Sequence, residues 1–183
     1  MRRACIAGLC VLLAAGCERV SGRPATTADT LNTAAAASGA EAFFRGGMVR
    51  LDATRGGLRR QLGAPDSAVV TAVKNRHDPA VTDSIAVVHY PGLAVELYLA
   101  TLGDAELTSS IRLTDNRYIV ATAPVRIGMP ASDLESILGT PTETDGSVQI
   151  YLCDTCTELG NDQLLVDTTG GRVSAITLQY SID

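Results

Sequence analysis

Tryptophan is missing from this 183-residue chain, and five Tyr and two Phe are its only aromatic side chains. A protein that stacks bases or sugars needs an aromatic platform, and this composition does not supply one. Basic residues are also short: 15 Lys and Arg stand against 20 Asp and Glu, a net charge of −5. Without a basic stripe, neither nucleic acid nor an anionic lipid surface has anything to be drawn to. His77 and His89 are the only histidines. Beyond residue 17 no apolar run approaches the 18 or so residues that cross a bilayer as a helix. Paired glycines occur at Gly46-Gly47, Gly56-Gly57 and Gly170-Gly171, but no G-x-x-x-x-G-K-[ST] phosphate loop and no G-x-S-x-G nucleophile turn exist.

What is present starts at the amino terminus. Met1-Arg2-Arg3 is a short basic start, and an apolar stretch over 4–15 follows, the length of a signal h-region. It ends in Leu13-Ala14-Ala15-Gly16-Cys17, which resembles the lipobox of bacterial lipoproteins. The usual pattern has Leu three positions before the cysteine; here Ala14 holds that place and Leu13 lies one further back. The resemblance implies cleavage after Gly16 and a diacylglycerol on the Cys17 sulfur, with an acyl chain on the new amino terminus. Each buried methylene contributes about 0.8 kcal/mol, so several chains hold a protein on a membrane. Glu18 stands where an inner-membrane retention Asp would be, which points to the outer membrane. An ordinary secretory signal cut near Gly16, leaving a free Cys17, is the alternative. Loss of Arg2 and Arg3 with the leader takes the net charge from −5 to about −7.

From Glu18 to about Gly39 the chain is rich in Ala, Thr, Ser and Gly, which reads as a polar tether. Residues 34–44 have room for a helical turn or two, ended by Gly46-Gly47. The segment 49–65 then aligns without gaps on 125–141, an offset of 76 residues. Val49 matches Val125, Arg50 matches Arg126, Leu58 matches Leu134, and Leu62-Gly63-Ala64-Pro65 matches Leu138-Gly139-Thr140-Pro141. Leu134, Ile137 and Leu138 fall on one helical face, Gly139 can cap, and Pro141 prevents continuation. Leu58 and Leu62 do the same before Gly63 and Pro65. Helices this short must pack on something else. After each come Val-, Ile- and Tyr-rich alternating runs: 67–74, 84–90, 93–100 and 108–113, then 147–153, 162–167 and 172–180. A connecting strand is expected over 118–123. Pro91-Gly92 and Thr169-Gly170-Gly171 are turns. The fold expected is α+β: two tandem repeats, each a short helical element on an antiparallel meander. The divisions are 1–16 signal peptide, 17–45 lipidated cysteine and tether, 46–115 first repeat and 116–183 second repeat.

Ile127-Gly128-Met129 through Leu138-Gly139-Thr140-Pro141, with Tyr151 and the closing turn Asp167 to Val173, resembles the outer-membrane lipoprotein family of the assembly factor BamE (SmpA/OmlA). As two such units in tandem, the chain is similar to the β-lactamase inhibitor protein fold. The first unit departs from the motif, with Asp52-Ala53 where the second has Gly128-Met129. The resemblance implies protein binding through a sheet face and loops, and it carries no catalytic residue.

Three local clusters remain. Cys153-Asp154-Thr155-Cys156 is a C-x-x-C in a chain that the leader would send to an oxidising compartment. A structural disulfide between Cys153 and Cys156 is the leading reading. A redox pair would want a cation or helix terminus beside it, and Asp154 and Glu158 act the other way. A zinc site needs two further ligands, and both histidines lie more than 60 residues away. Asn75-Arg76-His77-Asp78 reads as a solvated loop, because sequence neighbours rarely orient each other as an acid–base dyad. Glu96, Asp104 and Glu106 are scattered carboxylates, and His89 ends a strand. No metal or non-covalent cofactor is expected, and no catalysis. The functional expectation is a lipid-anchored periplasmic module that binds another envelope protein, in an assembly or scaffold role. A lipid-anchored inhibitor or small-ligand carrier, with a pocket lined by Val87, Leu97 and Tyr151, is the second reading, and a thiol-disulfide oxidoreductase the third. Mass spectrometry of the mature protein tests the anchor: a triacylated Cys17 is expected at the amino terminus, and an unmodified terminus removes the anchor.

Overall fold

The computed structural model describes residues 39–45, 49, 51, 52, 54–153, 156 and 160–182. The segments expected to be a signal peptide (1–16), a lipidated Cys17 and a tether up to residue 38 lie outside the described residues. Among the described residues, no helix is long and apolar enough to cross a membrane.

Eight strands form one antiparallel sheet. They are β1 (Ser67–Lys74), β2 (Thr82–Tyr90), β3 (Leu93–Leu99), β4 (Glu106–Leu113), β5 (Glu143–Asp145), β6 (Val148–Cys153), β7 (Asp162–Thr169) and β8 (Arg172–Gln179). Their spatial order is β1-β2-β3-β4-β8-β7-β6-β5. Three short helices accompany them: α1 (Gly39–Arg45), α2 (Arg55–Leu62) and α3 (Leu134–Leu138). The class is α+β, dominated by the sheet. Strand boundaries follow the alternation expected from the sequence, with two exceptions. β5 is too short and polar (Glu143, Thr144, Asp145) to register as a β pattern. The strand expected over 118–123 is instead a 3₁₀ turn at Asn116–Tyr118 followed by a single bridge, Ile119 to Val49.

Both longer-range helix stops are glycines. Gly63 closes α2 with φ 88°, its N–H donating to Arg59 O at 3.0 Å. Gly139 closes α3 with φ 85°, its N–H donating to Glu135 O at 2.9 Å. Side chains other than glycine rarely adopt that conformation. At the start of α2, Thr54 Oγ1 accepts from Gly57 N–H at 3.0 Å, an N-cap.

The helices bury their apolar residues against one face of the sheet. Leu58, Leu134 and Leu138 pack into a single core with Val95, Leu97 and Leu113 from one half of the sheet and Tyr151, Leu164, Val166 and Ile176 from the other. Tyr90 Oη donates to Gly63 O at 3.3 Å, tying the α2 cap to β2.

The tether expected over 17–45 ends earlier than that. Residues 39–45 form α1, which touches β6 and α3. Ala40 and Phe43, one turn apart, are 2% and 1% exposed. Gly39 lies so close to α3 that a Cβ there would sit 2.1 Å from Ile137 O. The helical turn expected within 34–44 overlaps this helix; what the sequence does not show is that Phe43 anchors it in the core. Phe43→Ala is expected to cost about 3–5 kcal/mol of unfolding free energy, read by denaturant titration. A loss under about 1 kcal/mol would return 39–45 to the tether.

Candidate functional site

Alternation gives each strand two faces, and directly opposed residues share a face. On the covered side, Ala86, Val88 and Tyr90 of β2 oppose Leu97, Val95 and Leu93 of β3. These six are buried. On the other side, Ile85, Val87 and His89 oppose Tyr98, Glu96 and Ala94, and none of those six is buried. β4, β6 and β7 show the same split, whereas β1 and β5 bury no residue on either side. No helix of the described residues covers this second face, so it is the candidate site.

Its chemistry varies across the sheet. One flank is apolar: Val69 and Val73 of β1, Ile85 and Val87 of β2, and Leu107 of β4. The opposite flank is apolar too, with Val148, Ile150 and Leu152 of β6 and Leu165 of β7. Val69, Leu107 and Leu152 are exposed outright. Between the flanks the face is polar. Arg112 Nη1 on β4 reaches over β8 to Asp167 Oδ2 on β7 at 2.9 Å and touches Thr177 Oγ1 at 3.2 Å. Glu96 Oε1 accepts from Ser109 Oγ at 2.7 Å. Antiparallel sheets with one wet face usually keep it polar, and exposed apolar patches on such a face mark contact surfaces.

Two depressions open on this face. One, of about 480 Å³, lies over the polar centre and includes Glu96, Ser109, Gln163 and Gln179. The other, of about 330 Å³, is lined by Val73, Ile85, Tyr98, Leu107 and Ile182, with Lys74, Arg76 and His77 at its rim.

Beside the second depression sits a buried carboxylate. Asp83 is 0% exposed. Its Oδ1 accepts from Thr101 N–H at 2.7 Å, and its Oδ2 from Asn75 Nδ2 at 2.7 Å and from the Tyr98 hydroxyl. The Thr101 amide first, then the Tyr98 hydroxyl, hold the Asp83 carboxyl below its ordinary value. The hydrogen bond to Asp83 in turn raises the Tyr98 phenol. The arrangement fastens the 75–81 and 100–105 loops to the strand ends. A second buried acid, Asp162, accepts from Ser181 N–H at 2.9 Å through Oδ1, while Oδ2 has no partner among the described residues.

The residues singled out in the sequence do not converge. Leu97 and Tyr151 are buried on the helix side, whereas Val87 lies on the open face. The pocket expected from those three does not form, because Val87 and Leu97 have opposite strand parity. In the 75–78 loop, Asn75 Oδ1 accepts from the His77 and Asp78 amides at 2.8 Å each. Asp78 Oδ1 accepts from Ala80 N–H at 3.0 Å. These are turn contacts, and none joins Asp78 to the His77 ring. His89 is exposed on the open face. Glu106 pairs with Arg55 at 2.6 Å, and Asp104 occupies a left-handed turn position with φ 52°. The Cys153 and Cys156 sulfurs stand at disulfide distance, with Cα atoms 5.5 Å apart. Cys153 is 3% exposed and faces the covered side opposite Asp162. Among the described residues no group of His, Cys, Asp and Glu gathers as metal ligands would.

Asp83 and Arg112 escaped the sequence reading. Asp83 precedes the alternating run that marks β2, and nothing in the chain announces Asn75 and Thr101 as its partners. Arg112 had a usable signal, since it stands between Ile111 and Leu113 and must point to the other face.

No protein-family model, curated protein or solved structure matches this chain.

The lowered Asp83 carboxyl carries a pH signature. A depressed folded value means its stabilisation is full above the unfolded value near 3.9 and is lost as pH falls through the folded value. Asp83→Asn is therefore expected to unfold at lower urea than the parent at pH 7, with the difference shrinking below about pH 4. A difference that stays constant from pH 7 to pH 3 would show that the charge is not what stabilises the loops.

Proposed function

We propose that this chain is a non-enzymatic, lipid-anchored periplasmic module that binds another envelope protein on the open face of its sheet. The observation that carries this reading is the uncovered face itself. Two apolar flanks enclose a polar centre in which Arg112 and Asp167 are paired and Glu96 accepts from Ser109. A protein partner suits that mixture, because interfaces of this kind combine apolar contact with hydrogen bonding. A face meant only for water would not keep Val69, Ile85, Leu107, Ile150 and Leu152 at its surface.

The address comes from the amino terminus: the lipobox-like run ending at Cys17, followed by a polar segment long enough to lift a domain off a membrane. The outer membrane, with the domain facing the periplasm, is the location this reading assigns. Duplication belongs to the same reading. The segments 49–65 and 125–141 align in sequence, both helices end on a glycine at positive φ, and each helix precedes four strands. The mirrored strand order fits two copies of one helix-and-meander unit joined at β4 and β8. That plan is the basis of the likeness to the BamE-type lipoproteins and to the tandem inhibitor-protein fold. Cys153 and Cys156 serve as a structural brace, since burial of Cys153 shields one sulfur from an incoming thiolate.

A second reading has its own support. The 330 Å³ depression is apolar inside and cationic at its rim, and its size is at the lower end of small-molecule sites. It suits a carrier of a small amphipathic anion.

Photocrosslinking in intact cells separates the two. With a photoreactive amino acid at Val87 or Ile150, the module reading expects discrete protein adducts, and none from Arg60 on the helix side. Absence of adducts from both open-face positions, together with a small molecule retained in native mass spectra, would favour the carrier.

A further inference from the structure

The two depressions on the open face adjoin, and Arg76 and Ile182 line both. Their other linings differ. The smaller depression is apolar inside, with Val73, Ile85 and Leu107, and the basic side chains Lys74, Arg76 and His77 stand at its rim. The larger one carries neutral amides, those of Asn161, Gln163 and Gln179, and one acid, Glu96. Among the described residues Glu96 is the only acid in either lining.

The strands fix the order of these groups. Tyr98 and Glu96 stand two residues apart on β3, so they share the open face about 7 Å from each other. Tyr98 lines the apolar depression and Glu96 the polar one, with Arg76 at the boundary. Gln163 of β7 opposes Gln179 of β8, which opposes Ser110 of β4. Among the described residues the side chains of Lys74, Arg76, Gln163 and Gln179 have no partner, and Glu96 accepts from Ser109 without pairing to a cation. Arg112 and Asp167 on the same face neutralise each other. A ligand thus meets an apolar hollow, a cationic rim, unpaired amides and a carboxylate, in that order.

We propose that the two depressions form one site for a single-chain zwitterionic amphiphile of the lysophospholipid type, its tail in the apolar hollow, its anion at Arg76 and its cation at Glu96. The proposal rests on the carrier reading above and names the ligand. Charge complementarity selects the class. A fatty acid satisfies the rim but brings nothing to Glu96. A cationic amphiphile, or a zwitterion whose cation lies next to its tail, sets positive charge among Lys74, Arg76 and His77. The order tail, anion, cation places each charge beside its opposite, where the Coulomb term is favourable. The amides of Gln163 and Gln179 have donors and acceptors for the oxygens of the head group.

Titration of the full-length protein with octylphosphocholine, in one uncharged maltoside detergent for all samples, tests the charge order. Octyl sulfobetaine is the control, with the same tail but the cation before the anion. Octylphosphocholine is expected to bind about tenfold more tightly, because in the control two attractions become two repulsions. Glu96→Gln, which keeps an acceptor for Ser109, should weaken octylphosphocholine about threefold, the size of an exposed ion pair. The same variant should bind octyl phosphate no more weakly than the parent, which also shows that it is folded. Arg76→Gln should weaken both octylphosphocholine and octyl phosphate. Equal affinity for the two zwitterions, or octylphosphocholine binding indifferent to Glu96→Gln, would overturn the proposal, and octyl phosphate binding that depends on Arg76 would then leave the carrier reading standing. Failure of all three probes to bind would remove both.

Discussion

The architecture depends on one short seam. β4 and β8 pair through only four residues each: Ser110, Ile111, Arg112 and Leu113 against Gln179, Leu178, Thr177 and Ile176. Without it there are two four-stranded meanders, one with α2 and the other with α1 and α3, each with too little apolar surface to cover itself. With it, Ile111, Leu113, Ile176 and Leu178 close the middle of one core that runs under the whole sheet. The other side of the seam carries Arg112, whose guanidinium bonds Thr177 and Asp167 across β8 and β7. A half-exposed ion pair of this kind contributes about 1 kcal/mol at most. Its greater effect is on register, since the contact forms only when Arg112 stands opposite Thr177.

From the seam outward, the two faces have separate tasks. The helix side holds the fold: α1, α2 and α3 bury Phe43, Leu58 and Leu134 against both halves. No helix of the described residues covers the open side. Its loops are kept in place without burying the face, by Asp83 receiving Thr101, Asn75 and Tyr98 at the strand ends. A carboxylate with that many donors fixes two loops using little apolar area, which leaves Ile85, Tyr98 and Leu107 accessible.

Most of the local structure was legible in the sequence, and the long-range structure was not. Alternation in 67–74 and 93–99, the Pro91-Gly92 turn and the Leu-Gly-x-Pro helix stops all act within a few residues. The β4–β8 pairing joins residues more than 60 positions apart, and no local pattern encodes it. Val87 and Leu97 were placed on one surface because both are apolar, although their registers put them on opposite faces. Phe43 went unseen because one aromatic in an alanine-rich stretch gives no period. Asp83 gave no signal, because it precedes the β2 alternation and meets Thr101 and Tyr98 only in the fold. The resemblance of the run ending at Cys17 to a lipobox rests on the sequence alone, because such a signal would be read before the chain folds.

Hydrogen exchange across the seam tests most directly whether one sheet presents one open face. If β4–β8 unites the halves, amides of Ile111, Leu113, Ile176 and Leu178 in the full-length protein should exchange only through global unfolding, as slowly as those of β2–β3 and β6–β7. Seam amides that exchange much faster than both flanking meanders would mean that the halves open independently, and the continuous face would not exist in solution.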